Sequence, residues 1–261
     1  MSIPAACQAF LDRALPRLAA DARLLGVCGG GSLLAGGMDE YSDLDLVIAV
    51  ERAAYDEVRA ARRAIARGLG PLLAAFTGEH VGEPRVLICL YGPPLLHVDL
   101  KFVALDDLGD RVEDPVILWA RDGRVADAMR GGGAEFPPPD HRWIEDRFWI
   151  WVHYAAGKIG RGEWFEAHEM LALMRGRVLG PLALESVGAR PMGVRRLEQH
   201  APAWAAKIEA TIASYSRADL ARALHAAIAI YRELRTIAPL ADAEREACAY
   251  LDAIEERPEP R

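Results

Sequence analysis

The chain has no apolar run approaching the roughly 18 residues that a membrane-spanning helix needs, so no membrane partner is expected. Its start, Met1 to Phe10, lacks the basic and apolar regions of a secretory signal, and the expected location is cytoplasmic. Cysteine is scarce. Cys7, Cys28, Cys89 and Cys248 stand far apart without a CxxC pair, which argues against a zinc site and a disulfide framework and predicts buried free thiols. No long Lys/Arg track occurs, and the net charge of −7 would repel a phosphate backbone over most of the surface. A nucleic-acid partner is therefore not expected. There is no internal repeat, and no low-complexity tail beyond the charged, proline-containing end from Glu255 to Arg261.

What is present is ordinary globular usage, with 52% hydrophobic and 26% charged residues in 261. At roughly 100 to 200 residues per domain, that length favours two domains. A flexible Gly131-Gly132-Gly133 run passes into a stiff Pro137-Pro138-Pro139 run, the best candidate linker. Upstream, short apolar strands alternate with helical patterns; downstream, nearly every segment has helical periodicity. The expected architecture is an α/β (α+β) domain with a small mixed sheet over 1–130, then an all-α helical bundle over 138–261.

In the first half, residues 5–24 carry apolar positions at helical spacing, with Pro16 as an expected kink. Leu44 to Val50 reads as a strand and residues 51–69 as a helix. Strands over about 85–91 and 95–103, joined by Gly92-Pro93-Pro94, read as a hairpin. In the second half, helices are expected from Asp140, a candidate N-cap, to about Gly160, and near 163–179, 194–213, 217–236 and 241–256.

The chemistry concentrates in Val27-Cys28-Gly29-Gly30-Gly31-Ser32 and, eleven residues after the serine, Asp43-Leu44-Asp45-Leu46-Val47. Side chains alternate on a strand, so Asp43 and Asp45 share one face while Leu44, Leu46 and Ile48 share the other. Two adjacent anions repel, and a cation between them relieves the repulsion. Magnesium suits such a pair, because it takes one or two carboxylates together with substrate phosphates. On the hairpin strand, Asp99 alternates with Val98 and Leu100 and supplies a third carboxylate if this strand lies beside the first. The glycines let backbone approach a phosphate, and Ser32, opening a short helix through Ala35, offers its hydroxyl and amide to phosphate oxygens. His97 and Lys101 share the Asp99 face, as site neighbours or as solvated strand residues.

Hydrophobic-Gly-Ser, a spacer of about ten residues, Asp-hydrophobic-Asp-hydrophobic and a later strand Asp together resemble the nucleotidyltransferase (DNA polymerase β) superfamily. Within it, the pattern is similar to bacterial aminoglycoside and lincosamide nucleotidyltransferases. The resemblance covers about Gly30 to Asp99. It implies Gly31 and Ser32 as the nucleotide-binding pair, Asp43, Asp45 and Asp99 as metal ligands and catalytic carboxylates, and Mg2+ and ATP (or another NTP) as cofactor and donor. The implied reaction is in-line attack of an acceptor hydroxyl on the α-phosphorus, with Asp99 binding metal or taking the hydroxyl proton. The implied acceptor is a small molecule, such as an antibiotic whose modification confers resistance. Three glycines precede Ser32 where the family has two, which bears on the phosphate contacts.

Farther along, Arg147, Tyr154, Lys158 and Arg161 fall close to one helical stripe. Relatives often place a phosphate-binding lysine there, and Lys158 is the candidate; a solvated face is the alternative. Trp143, Phe148, Trp149, Trp151 and Tyr154 read as core packing before a stacking wall. His168-Glu169 lacks the second histidine of a zinc-protease motif. Glu145, Asp146, Glu163, Glu166 and Glu169 are open as general bases, each more in keeping with a helix surface. The rival function is an antitoxin-like or regulatory protein that keeps this fold and acts on, or binds, a protein partner.

Overall fold

Helix α1 (Ala5–Ala19) buries Cys7, Phe10, Leu11, Ala14 and Leu18 along one stripe. It contains Pro16 in its last turn and ends short of the expected residue 24, because Leu24 already opens strand β1 (Leu24–Gly29). Chain then follows as β2 (Leu44–Val50), α2 (Tyr55–Leu69), β3 (Leu72–Gly78), β4 (Glu83–Tyr91), β5 (Leu96–Ala104), β6 (Val116–Ala120) and α3 (Arg124–Arg130). This is a computed structural model that describes residues 3–34 and 37–257; Ala35, the expected end of the short helix at Ser32, and the last residues of the charged tail lie outside that range.

Two units partition the chain, Met1–Phe136 and Pro137–Arg261. In the first, the strands form one mixed sheet of order β3-β4-β5-β2-β1-β6. Only β2 and β5 pair in parallel; the other neighbours are antiparallel. Alternation decides what each face meets. Leu44, Leu46, Ile48, Val98, Leu100 and Phe102 are buried in the core that also holds the α1 stripe and Val58, Ala66 and Leu69 of α2. The opposite face carries a smaller cluster of Leu25, Cys28, Ala49, Leu108 and Val125, the last from α3. The β4–β5 hairpin forms as the sequence predicts. The expected helix over 51–69 begins with a 3-10 turn, Arg52–Ala54, before α2.

The regular elements of the second unit's described residues are all helices: α4 (His141–Arg161), α5 (Trp164–Met174), α6 (Gly180–Ser186), α7 (Leu197–His200), α8 (Pro202–Ile208), α9 (Arg217–Leu234) and α10 (Ala241–Glu255). A small mixed sheet followed by an all-α unit is the fold class that the sequence implies. Asp140 caps α4 as expected, its Oδ1 accepting the Trp143 amide proton at 2.9 Å. α5 passes into α6 through a π turn, Arg175–Leu179, just before Pro181, which has no N–H to return to the chain. The expected helix over 194–213 is broken at Pro202 for the same reason. α4 and α10 approach so closely that a Cβ at Gly160 would stand 2.6 Å from Ile254 Cδ1. Among the described residues no helix is long and apolar enough to cross a membrane.

Candidate active site

In the parallel β2–β5 pair, Asp45 lies directly opposite Asp99 and Val47 opposite Lys101. The shared register puts both carboxylates on the face away from the α1–α2 core, where each is half-buried while Leu44, Leu46, Val98 and Leu100 beside them are buried. His97 Nε2 lies 2.9 Å from Asp99 Oδ1, so His97 is a neighbour of the acid.

The turn after β1 faces this pair. Gly30 donates its amide proton to the Asp45 carbonyl at 3.0 Å. Gly31 has φ of 57°, and a Cβ there would lie 2.0 Å from Asp45 Oδ2. Glycine is required twice at this position, for left-handed backbone and for the close approach of a carboxylate. Ser32, in the 3-10 turn Gly31–Leu33, is 5% exposed, and its Oγ has no hydrogen-bond partner among the described residues. A buried hydroxyl without a partner costs about 1–3 kcal/mol, a cost that a ligand oxygen would relieve.

A cavity of about 130 Å3 opens on this face, with Asp45, Asp99, Lys101, Asp107, Arg111 and Glu113 in its wall. Lys101 Nζ is 2.8 Å from Glu83, which Arg85 also holds at 2.6 Å. Burial works against the Glu83 charge, but the hydrogen bonds from Arg85 and Lys101 outweigh it and hold its pKa down at about 2. Lys101 is therefore a cavity-wall residue already engaged with a carboxylate.

Asp43 precedes β2 and is not part of this wall. Its charge reaches Cys7 of α1, where burial first, and Asp43 second, raise the thiol pKa. The structure thus brings Asp45 and Asp99 together and leaves Asp43 at the entrance of the strand. Among the described residues, three His, Cys, Asp or Glu ligand atoms all within 4.8 Å of one another occur only at His225, Asp252 and Glu255, on exposed parts of α9 and α10. The residues at hand nevertheless fit a magnesium-like cation: hard oxygen donors on adjacent strands, beside a glycine that keeps backbone close.

Glu113 belongs to the site and was not singled out from sequence. β1 and β6 are antiparallel with Gly29 opposite Val116, so the residues just before Val116 run back along the Gly30–Gly31 turn. Glu113 Oε1 accepts the Gly31 amide proton at 2.8 Å. Its only sequence signal is an acid close before a strand, and nothing local indicates which strand that one joins.

In the second unit, Lys158 lies between Glu163 and Glu166, its ammonium bonded to both and 5.0 Å from the Tyr154 ring centroid. Gly162, in left-handed conformation, turns the chain after α4 and returns those two glutamates to it. The hydrogen bonds that Lys158 donates to Glu163 and then to Glu166 raise its pKa. Of the expected aromatic core, Phe148 and Trp149 are buried, while Trp143 and Tyr154 are exposed. Glu145, open as a general base from sequence, is fully buried and structural: it accepts from Trp149 Nε1 at 2.9 Å, from Tyr231 Oη and from the Leu240 amide at 2.7 Å. Burial disfavours its charge, yet Tyr231, Leu240 and Trp149 together hold its pKa below the ordinary value. The four cysteines are unpaired; Cys7, Cys28 and Cys89 are buried and Cys248 partly so. Burial pushes Cys28 up to about 11 and, as the largest cause, Cys89 to about 12, so neither is a nucleophile at neutral pH.

No protein-family model matches the chain, and no curated protein matches it. Among solved structures, the chain is similar to an aminoglycoside 6-adenyltransferase from Bacillus subtilis, with 14% identity over 96% of this chain and 98% of that one and a TM-score of 0.40. It is also similar to a nucleotidyltransferase-like protein from Exiguobacterium sibiricum 255-15, with 12% identity over 98% and 82% and a TM-score of 0.37.

Proposed function

We propose that the first unit is a nucleotidyltransferase that binds a magnesium–nucleoside triphosphate and transfers its nucleoside monophosphate, AMP preferred, to a hydroxyl of a small molecule. The observation that carries this is the Asp45–Asp99 pair, opposite in register and beside a glycine that only a close carboxylate and left-handed backbone explain. Asp45 would hold the cation, with Asp43 at the strand entrance as a further oxygen donor and Asp99 beside it as the base. The cation, when bound, neutralises charge on the phosphates.

The chain's own residues supply the rest. Ser32, whose buried Oγ has no partner among the described residues, donates its hydroxyl proton to a phosphate oxygen. The acceptor oxygen forms its bond to the α-phosphorus as the bond to pyrophosphate breaks. Asp99 takes the hydroxyl proton on one oxygen, while His97 fixes the other in place. The acceptor class is an antibiotic-like small molecule of aminoglycoside or lincosamide type, in keeping with the motif pattern and with an acidic cavity wall that favours a cation.

Calorimetric titration with non-hydrolysable ATP and GTP analogues, with and without magnesium, tests the reading beside an Asp43→Ala/Asp45→Ala variant. Magnesium-dependent binding that the variant loses is the expected result. Equal binding by the variant, or none by the parent in the presence of an acceptor panel, sinks the proposal.

A further inference from the structure

Glu113, like Asp107 and Asp110, is an acid of the cavity wall that the proposed reaction leaves unused, and the fold holds it on the Gly31 amide. Oε1 also stands so close to Gly30 that a Cβ there would be 2.6 Å from it. The segment that delivers it is anchored on either side. Leu108 is buried against Leu25, Cys28 and Val125, and Arg111 binds the Gly109 and Gly132 carbonyls and the Asp114 carboxylate. Behind this contact the cavity measures about 130 Å3, against the roughly 300–1,000 Å3 of sites that enclose small molecules. A nucleotide needs that space enlarged.

To a backbone N–H, a carboxylate oxygen and a phosphate oxygen are the same kind of partner, a charged acceptor at about 2.7–2.9 Å. Both cannot take the Gly31 proton at once, and two anions held side by side repel. The neighbouring Ser32 hydroxyl is buried and has no partner among the described residues, so the place has two donors, one of them held by Glu113. We propose that Glu113 is an internal stand-in for a phosphate oxygen: its carboxylate occupies the Gly31 amide until the phosphate chain of a nucleotide displaces it. The identity of the displacing ligand rests on the nucleotidyltransferase reading; the displacement itself does not. A lone inorganic phosphate offers few contacts in exchange for the Glu113 bond, whereas a polyphosphate chain offers several. The site thereby discriminates against single phosphates.

The test is calorimetry on the full chain with magnesium tripolyphosphate and with a non-hydrolysable ATP analogue, comparing parent, Glu113→Gln, Glu113→Ala and Asp45→Ala. Glu113→Ala is expected to bind tripolyphosphate about tenfold more tightly than the parent, with Glu113→Gln between them. Equal or weaker binding by Glu113→Ala overturns the proposal, because a glutamate that helps to hold the cation gives that loss. Tighter tripolyphosphate binding with no nucleotide binding in any protein supports the displacement and sinks the nucleotide reading. Magnesium-dependent nucleotide binding lost in Asp45→Ala but unchanged in Glu113→Ala does the reverse. If Glu113→Ala fails to fold, carbon-13 labelling of glutamate carboxyls in the parent decides: saturating tripolyphosphate must shift the Glu113 signal, and an unmoved signal overturns the proposal.

Discussion

The two units hold their acids in opposite ways. Glu145 in the helical unit is sealed from water, yet donors from Trp149, Tyr231 and Leu240 satisfy it and Arg235 lies 3.5 Å away. Asp45 and Asp99 in the sheet unit are half-exposed, side by side, and next to a buried hydroxyl with no partner among the described residues. The first arrangement is complete in itself and specifies how α4, α9 and the approach to α10 pack. The second is a concentration of like charge that the fold tolerates, and such local conflict marks a site where a ligand completes the structure.

The comparison breaks most visibly at Asp45. Asp45→Asn should weaken magnesium-dependent binding of an ATP analogue by about a hundredfold to a thousandfold while melting stays at or above the parent, since one of two repelling charges is gone. Loss of binding together with a large fall in melting temperature would instead make Asp45 structural. At Glu145 the signs reverse. Glu145→Ala leaves an indole N–H, a phenol and the Leu240 amide without their acceptor, and should lower stability in denaturant unfolding by about 3–5 kcal/mol, with nucleotide binding at native conditions retained. A change below about 1 kcal/mol would show that the buried network contributes little.

Gly31 sharpens the contrast. Gly31→Ala combines left-handed backbone with a Cβ set against Asp45 Oδ2, and should cost about 1–2 kcal/mol in stability and at least about tenfold in nucleotide affinity. A folded variant with parental affinity would show that the turn is free to move. The smallest effect belongs to Glu83. Its folded pKa of about 2 lies below the ordinary 4.5, so its contribution is fully present above about pH 4.5 and is lost as pH falls toward 2. Glu83→Gln should therefore be less stable than the parent by about 1–2 kcal/mol near neutral pH, and the melting curves should converge on acidification. A constant difference across that window would assign the effect to packing.

Much of the sheet unit was legible in advance where one periodicity dominates. β2 and the β4–β5 hairpin alternate cleanly, and the helices α1, α2, α9 and α10 carry uninterrupted apolar stripes. β1 escaped because Gly26 and Gly29 carry no strand signal of their own. Gly26 is instead needed in a strand, since a Cβ there would meet the Trp119 carbonyl oxygen at 2.9 Å. β3 and β6 lie at the two edges of the sheet, and their strand character comes from their neighbours. Lys158 was expected to meet a phosphate because it lies on a basic stripe, but the stripe carries no information about Glu163 and Glu166 beyond the Gly162 turn.

The sequence by itself determined which residues share a face. It put Asp45 opposite in character to Leu44 and Leu46, Asp99 opposite to Val98 and Leu100, and glycine where backbone must come close, because alternation and conformational freedom are properties of a residue and its immediate neighbours. Only the tertiary structure decided which faces meet. That β5 lies parallel beside β2 with Asp99 opposite Asp45, that β6 returns along β1 and delivers Glu113 to Gly31, and that Asp43 stays outside the cavity wall are matters of strand order and register. These follow from how the whole sheet buries its apolar side, a sum over distant residues that no local pattern contains.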